Sequence, residues 1–185
     1  MKVFRVSTDV NRFQYFLPER KRDHDLLNFD GSVRYDSWHP PKVRIYKPTH
    51  ERGDFFNFDS SALIASKHAT EVLLEFFEAS GELLPLPFGK ETFTVVNITE
   101  CVNCLNRDAT HWWFVDEDTG ERYRPEKYVF NTDLLPEAGL FKIPETVMSE
   151  VLIIEGLKEP HEEFRFLVKK HNLKGLVFEE LWRLK

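Results

Sequence analysis

The amino-acid sequence predicts an α+β fold in which two principal helices pack on a mainly antiparallel sheet. Runs of β-branched, aromatic and alternating apolar residues, separated by turn residues, predict that strands dominate the middle of the chain. Two helical patterns each follow a short apolar strand, which groups the helices against the sheet. A chain of 185 residues, 42% of them hydrophobic, suits a single domain over residues 1–185 with a substantial core.

Residues 1–32 form an N-terminal segment whose structure is the hardest to predict. Val3-Phe4-Arg5-Val6 alternates as a short strand would. From Asn11 to Gly31, aromatic and charged residues mix without a regular period, and Arg20-Lys21-Arg22-Asp23 is turn-like. The pattern therefore predicts a strand at Val3–Val6 and no regular element between Asn11 and Gly31.

The next stretch predicts a loop and then an edge strand. The two prolines of Trp38-His39-Pro40-Pro41 favour an extended backbone and remove two donors from any strand ladder, because proline has no N–H group. Val43-Arg44-Ile45-Tyr46 then alternates, which favours a strand at the edge of a sheet. The aromatic piece Asp54-Phe55-Phe56-Asn57-Phe58 is expected to be buried.

The clearest helix follows the short apolar strand Ala62-Leu63-Ile64-Ala65. Ser66 can accept hydrogen bonds from the first-turn amides, and Gly81 is placed to end the helix. Apolar residues recur between them at spacings of three and four: Ala69, Val72, Leu73, Phe76 and Phe77. The extended piece Leu83-Leu84-Pro85-Leu86 carries a proline that keeps it from being a central strand.

A strand at Thr92–Ile98 and a hairpin are predicted in the middle of the chain. His111-Trp112-Trp113-Phe114-Val115 and Arg122-Tyr123 flank the turn residues Asp118-Thr119-Gly120. Successive side chains of a strand point to opposite faces. We therefore expect one of the two tryptophans, Trp112 or Trp113, in the core and the other exposed or covered by another element.

The C-terminal part predicts a strand, a helix and a second strand. A proline-terminated segment, Leu140-Phe141-Lys142-Ile143-Pro144, precedes a strand at Val151–Ile154, a helical run to His171 and a last strand at Leu173–Phe178. Gly175 is expected to have a positive φ after the helix. The same order of strand, small residue, helix and leucine-rich piece occurs at Leu63–Leu86, which indicates similar supersecondary structure.

Composition and charge exclude several classes of function. The formal net charge of −6 argues against general binding to nucleic acid, which needs lysine and arginine to displace counterions. The sequence has no secretory signal pattern and no long uncharged apolar window, so we expect no membrane contact and a cytoplasmic location. Two cysteines are too few for a disulfide scaffold, which fits a reducing compartment. The oligomeric state stays open.

Cys101-Val102-Asn103-Cys104 is the motif with the most chemistry available to it. Two thiolates at this spacing can bind zinc, with His111 as a third ligand, or exchange disulfides. There is no second cysteine pair, and Asn106-Arg107-Asp108 is turn-like rather than the helix start that a redox pair uses. Structural thiols are therefore the favoured interpretation, and a zinc- or thiol-dependent binding protein is the alternative.

No other pattern predicts catalysis, a metal or a cofactor. The carboxylates Asp116, Glu117 and Asp118 could suggest a cation site, but they precede Thr119-Gly120, where acidic turn residues are common. The sequence has no metalloprotease histidine pair, nucleophile elbow or phosphate-binding glycine loop. We therefore expect a protein that is not an enzyme.

The order of several short motifs resembles the immunity-protein family of bacterial polymorphic toxin systems that was first catalogued as a domain of unknown function. The matching residues are Trp38 with Pro40-Pro41, Asp54-Phe55, Ala65-Ser66 with Ala69 and Leu73, Glu82-Leu83-Leu84-Pro85-Leu86, Val96-Asn97-Ile98, Leu140-Phe141-Lys142-Ile143-Pro144 and Leu173-Lys174-Gly175-Leu176-Val177-Phe178. The resemblance defines an immunity-protein-like core over residues 33–182. The chain departs from the family pattern at Leu105-Asn106, at Gly156 and in a longer Leu157–Glu163 stretch.

The resemblance implies a cytoplasmic, non-enzymatic protein that binds a cognate protein toxin and blocks it. Acidic and aromatic side chains are the candidates for contact with a basic toxin surface. They are Trp112, Trp113, Asp116, Glu117 and Asp118 in the hairpin, and Glu159, Glu162 and Glu163 before the last helix. A scaffold or sensor protein without a toxin partner is a further alternative.

Overall fold

The computed structural model describes residues 1–57, 61–137 and 139–184. Within these residues the strands are β1 (Lys2–Thr8), β2 (Tyr15–Pro18), β3 (Val43–Tyr46), β4 (Phe55–Phe56), β5 (Leu63–Ala65), β6 (Gly81–Phe88), β7 (Glu91–Ile98), β8 (His111–Val115), β9 (Arg122–Lys127), β10 (Leu140–Phe141), β11 (Val151–Glu155) and β12 (Leu176–Arg183). The α-helices are α1 (Lys67–Val72), α2 (Leu74–Ser80) and α3 (Phe164–Lys170).

Two four-stranded antiparallel sheets form the frame. The first sheet has the order β4-β5-β7-β6 and the second has the order β10-β11-β1-β12, while β2 pairs with β3 and β8 pairs with β9. The prediction of mixed helix and strand structure with mainly antiparallel pairing is confirmed. The expectation of one sheet with two principal helices is not confirmed, because the strands divide among four sheets. The helix after Ser66 also divides at Leu73, whose φ of −112° and ψ of 17° leave the helical region.

The two large sheets have the same topology. In the first sheet, β5 and β6 both pair with β7 and are joined through α1 and α2. In the second sheet, β11 and β12 both pair with β1 and are joined through α3. A two-residue strand, β4 or β10, lies at one edge of each sheet. The similar supersecondary structure predicted from the sequence therefore extends to whole sheets.

The source of the central strand is what distinguishes the two sheets. In the first sheet β6 turns directly into β7 through Gly89 and Lys90. In the second sheet the equivalent strand is β1, from the other end of the chain, and Lys2 lies opposite Arg183. The second sheet therefore has the topology of the first with its tight hairpin cut open.

Reciprocal hydrogen bonds join two strand–helix–strand units. The first unit consists of β4, β5, α1, α2 and β6, and the second consists of β10, β11, α3 and β12. The amides of Asp54 and Phe55, at the start of β4, donate to the Lys174 carbonyl before β12 at 2.8 and 3.0 Å. The amide of Leu140, at the start of β10, donates to the Ser80 hydroxyl before β6 at 3.2 Å. Each unit thus places the start of its short edge strand on the helix-to-strand junction of the other.

A glycine lies at each of these two junctions. Gly175 has the predicted positive φ, +108°, and an added Cβ would lie 2.6 Å from the Phe55 carbonyl oxygen. Gly81 is extended, with φ of 169°, but an added Cβ would lie 1.9 Å from the Asn97 carbonyl oxygen. Close backbone approach therefore requires glycine at both positions, and Gly175 has the additional requirement of its left-handed φ.

Both faces of each large sheet are covered, which gives three hydrophobic clusters. The inner cluster lies between the sheets and includes helix residues Ala69, Leu73, Phe77, Phe164 and Val168. The first outer cluster covers the far face of the first sheet, and the second outer cluster covers the far face of the second sheet. Alternation along β11 places Val151 and Ile153 in the inner cluster and Leu152 and Ile154 in the second outer cluster.

Several local predictions are confirmed by this arrangement. The Ser66 hydroxyl accepts the Ala69 amide at 3.1 Å as the N-cap of α1. The proline-containing β6 is an edge strand, and β3 pairs with β2 alone among the described strands. Phe55 and Phe56 are buried, whereas Phe58 lies outside the described residues. The last helix is shorter than predicted, because Pro160–Glu162 forms a separate 3₁₀ turn before α3.

A buried lysine fixes the N-terminal segment to the second sheet. Lys142 follows β10 and is completely buried, and its ammonium group donates to the Phe29 carbonyl at 2.7 Å. The Phe29 amide in turn donates to the Ser61 hydroxyl at 3.3 Å. Removal from water disfavours the charged form, so burial lowers the pKa of Lys142 from 10.5 to about 8.

In the described part of the chain, no helix combines the length and the apolar character needed to cross a bilayer.

Lys142→Met is predicted to change the pH dependence of stability. Between pH 8 and pH 10.5 the unfolded lysine holds more proton than the folded one, so in the wild type this group makes stability rise with pH. The contribution is up to roughly 3 kcal/mol and is absent from the variant. Urea unfolding across this range should show the wild type gaining stability relative to Lys142→Met. Parallel pH profiles would contradict the lowered pKa.

A circular permutant is predicted to fold to the same structure. A short glycine linker from Leu184 to Met1 would restore in the second sheet the hairpin that the first sheet has, because the Leu184 amide already donates to the Met1 carbonyl at 3.1 Å. New ends at Gly120, in an exposed turn, break no strand pair. Circular dichroism and thermal melting should match the parent. A control with new ends inside β7 should fail to fold. Failure of the Gly120 permutant as well would contradict the equivalence of the sheets.

Candidate functional site

The β8–β9 hairpin is shaped by an aspartate at its tip. The Asp116 carboxylate accepts the amides of Asp118 and Thr119, both at 2.9 Å, and Gly120 has a φ of +71°. The amides of Thr119 and Asp118 stabilise the ionised form and hold the pKa of Asp116 below its usual value. Asp116, which we predicted as a partner contact, therefore has one carboxylate oxygen committed to the turn.

Trp112 anchors the base of the hairpin. Its side chain is 9% exposed and packs in the second outer cluster. The indole N–H donates to the Arg107 carbonyl at 3.0 Å, and the guanidinium carbons of Arg107 and Arg122 lie 5.3 and 5.9 Å from the ring centroid. These contacts fix the hairpin to the body of the protein and exclude Trp112 from any free surface.

The outer half of the hairpin exposes apolar side chains. Trp113 is 67% exposed, so the prediction that the two tryptophans point in different directions is confirmed. Phe114 lies opposite Tyr123, with ring centroids 5.7 Å apart, and Trp113 lies 6.4 Å from Phe114. Val115 is exposed as well. We call Trp113, Phe114, Val115 and Tyr123 the aromatic patch.

Three members of the aromatic patch were missed by the sequence prediction. Trp112 and Trp113 were predicted as partner contacts, whereas Phe114, Val115 and Tyr123 were predicted only as strand residues. The turn at Asp118-Thr119-Gly120 contained the signal, because it sets the register that places Phe114 opposite Tyr123. A hairpin this long extends beyond the body that its first residues pack against, so its outer apolar residues are left uncovered.

Carboxylates surround the outer end of the aromatic patch. Glu117 and Asp118 are exposed, and neither forms an ion pair with a described residue. Glu121 accepts the Tyr123 hydroxyl, which raises the pKa of that tyrosine. An exposed apolar surface with an acidic rim is typical of a protein-binding site for a basic partner.

The predicted acidic residues before the last helix lie away from the β8–β9 hairpin. Glu159 and Glu162 are exposed, whereas the Glu163 carboxylate accepts the Gly156 amide and is partly buried. Glu162 also lines a groove of about 420 Å³ with Phe76 and Glu137. The helix that follows packs on the inner face of the second sheet, and the hairpin packs on its outer face. The structure therefore does not bring the two predicted groups together.

The cysteine pair is divided between surface and core. Cys104 is buried, and desolvation raises its pKa to about 12, while desolvation also raises the pKa of the exposed Cys101. Both changes disfavour the thiolate, which is the form that binds metals and attacks disulfides. His111 pairs instead with Glu126 at 3.1 Å. Among the described residues, no three or more His, Cys, Asp or Glu side chains are grouped to hold a metal ion.

Comparison with protein-family models and with curated protein sequences finds no match to this chain.

Trp112→Ala and Trp113→Ala are predicted to differ sharply in stability. Truncation of the buried Trp112 should destabilise the protein by roughly 3–5 kcal/mol, because it removes core packing. Truncation of the exposed Trp113 should change the unfolding free energy by less than about 0.5 kcal/mol. Urea unfolding monitored by circular dichroism measures both. Equal losses would show that the Trp113 ring is also packed.

Proposed function

We propose that this protein is a non-enzymatic immunity protein that binds a cognate bacterial toxin domain and blocks it by steric occlusion in the cytoplasm. The single observation that carries the proposal is the aromatic patch on a projecting hairpin. Tryptophan and tyrosine dominate the binding energy of protein interfaces. The family resemblance of the ordered motifs supplies the toxin as the kind of partner.

The shape of the hairpin supports occlusion. Two paired strands lie only about 5 Å apart, so the ribbon is narrow enough to enter a cleft that a globular surface cannot enter. Its base is fixed through Trp112, which limits the conformational entropy lost on binding. A narrow ribbon with a fixed base and uncovered aromatic side chains suits insertion into the active-site cleft of a toxin.

The acidic rim favours a basic toxin surface. Glu117 and Asp118 lie at the tip, and the whole chain has a formal net charge of −6. Such charges raise the association rate more than they raise affinity, and salt screens them. In this proposal the hairpin forms the main contact with the toxin. Glu159, Glu162 and Glu163 stay predicted contacts for a partner that reaches the other side of the second sheet.

Trp113→Ser is predicted to weaken binding of the toxin and protection against it while leaving the fold intact. The candidate toxin to test is the product of the neighbouring gene, and the readouts are co-expression, growth rescue and binding of the purified pair. Loss of an interface tryptophan should weaken binding by about 2 kcal/mol or more, roughly thirtyfold in Kd. The melting temperature should not change, because Trp113 is exposed.

Tyr35→Ser is the matched control for this experiment. Tyr35 is also an exposed aromatic residue, 68% accessible, but it lies in a 3₁₀ turn far from β8 and β9 in the sequence. It should bind and protect like the wild type. Full binding by Trp113→Ser would remove the hairpin from the interface. No complex with the neighbouring gene product, and no rescue of growth, would overturn the function itself.

A further inference from the structure

The strand β8 has an edge without the protection that the other edge strands have. Exposed strand edges are usually blunted by short length, by proline or by charged side chains, because they otherwise pair with other chains. In the part of the chain that the structure describes, β4 and β10 have two residues each, β2, β6 and β9 contain proline, and β3 and β12 contain charged residues. β8 has five residues, His111-Trp112-Trp113-Phe114-Val115, and contains no proline, carboxylate, lysine or arginine. It is therefore the described edge best suited to receive an added strand.

The opposite edge of the ribbon, along β9, is much less suited to pairing. Arg124 lines a cavity with Glu145 and Thr146, so this edge lies beside the 3₁₀ turn Pro144–Thr146. Pro125 has no N–H group, and Arg124 has a φ of +49°, which interrupts the extended backbone. A partner strand would therefore add to the ribbon along β8 and not along β9.

The outward-facing backbone groups of β8 belong to Trp113 and Val115. The Asp116 amide donates to the Glu121 carbonyl at 2.8 Å across the ribbon, and Phe114 lies two residues earlier in the same register. The N–H and C=O groups of Phe114 therefore also point towards β9, and those of Trp113 and Val115 point away from it, into solvent. The bulge in the β8–β9 pair lies at the base of the hairpin, before these residues. Trp113 and Val115 are 67% and 43% exposed, so a partner chain can approach this edge.

Apolar side chains lie on both faces of the ribbon beside this edge. Trp113 and Val115 point to one face, and Phe114 points to the other, where its ring lies 5.7 Å from that of Tyr123. An added strand lies directly beside β8, so its alternating side chains would cover Trp113 on one face and Phe114 on the other. A flat surface would cover only one of the two faces. The aromatic patch therefore matches an extended segment better than it matches a flat surface.

The tip end of this edge is acidic. Glu117 and Asp118 follow β8, are exposed and form no ion pair with a described residue. A segment that passes the tip would therefore be favoured by a lysine or arginine at that end. In a second copy of this chain, β8 is flanked by Thr110 and Asp116 and contains no lysine or arginine, so a second copy is a poorer match than a basic partner.

We propose that an extended segment of the toxin adds to β8 as a further strand of the ribbon. Its backbone forms hydrogen bonds with Trp113 and Val115, its apolar side chains cover the aromatic patch, and a lysine or arginine at one end lies beside Glu117 and Asp118. Main-chain hydrogen bonds contribute affinity in such a complex, and the alternating side chains contribute specificity. This inference rests on the proposed function and adds to it the mode of contact.

Amide hydrogen exchange, measured in the free protein and in its complex with the neighbouring gene product, tests the added strand directly. In the free protein the Trp113 and Val115 amides should exchange faster than those of Phe114 and Asp116, which are bonded across the ribbon. In the complex, exchange at Trp113 and Val115 should slow by about tenfold or more. Unchanged exchange at these two amides in a complex that forms would overturn the inference.

Val115→Pro separates the backbone contact from the side-chain contact. Proline keeps an apolar side chain but lacks the N–H group, which at Val115 points away from β9, so the melting temperature should stay close to that of the wild type. Binding of the gene product should weaken by about tenfold or more, because a partner carbonyl loses its donor. Val115→Ala, which keeps the N–H group and removes most of the side chain, is the matched control and should lose less affinity. If Val115→Pro does not fold, the exchange measurement on the wild type decides.

The outcomes distinguish failure of this inference from failure of the proposed function. If Trp113→Ser weakens binding but Val115→Pro binds no worse than Val115→Ala, the hairpin is the interface and no strand is added. If neither Trp113→Ser nor Val115→Pro weakens binding, the hairpin is not the contact, and absence of any complex overturns both proposals. A wild-type dimer in analytical ultracentrifugation that Val115→Pro converts to a monomer would show that a second copy occupies the edge, which would also overturn the inference.

Discussion

The Asp54 carboxylate joins the two halves of this protein, and their relative position depends on it. One of its oxygens accepts the Ser66 hydroxyl at 3.2 Å, where α1 begins, and the other accepts the Lys174 amide at 2.9 Å, before β12. The Asp54 carbonyl also accepts the Ser66 amide at 2.7 Å. A single side chain thus connects the N-cap of a helix in the first unit to the strand junction of the second. The inner cluster can close only with the units in this relation, because both units contribute to it.

The polar residues of the family-like motifs have the same internal role. Glu82 accepts the amides of Arg34 and Tyr35, at 2.7 and 2.9 Å, and the side-chain amide of Asn97 at 2.8 Å. Lys142 reaches Phe29 through the core. These groups hold the segment before β3 against the first sheet and against β10. The polar residues of these motifs therefore hold parts of the chain together within the fold.

The sequence predicted the structural features that depend on neighbouring residues. It missed the features that depend on residues far apart in the chain. The Ser66 cap, the positive φ of Gly175 and the opposite orientations of Trp112 and Trp113 follow from spacing within a few positions. The division into two similar sheets does not follow from such local spacing, because β1 completes the second sheet from the opposite end of the chain.

The edges of the two large sheets are protected against pairing with another chain. An unprotected edge strand can pair with another chain, but each of these edges is blunted. The edge strands β4 and β10 have two residues each, and β6 carries Pro85 and Pro87, which cannot donate hydrogen bonds. The remaining edge, β12, carries Glu179, Glu180 and Arg183, whose charges are paired within the protein. Both faces of each sheet are covered as well. Strand addition and face-to-face docking are thus disfavoured at the two large sheets. The β8–β9 ribbon instead combines a fixed base with uncovered aromatic side chains at its outer end, which supports it as the proposed contact.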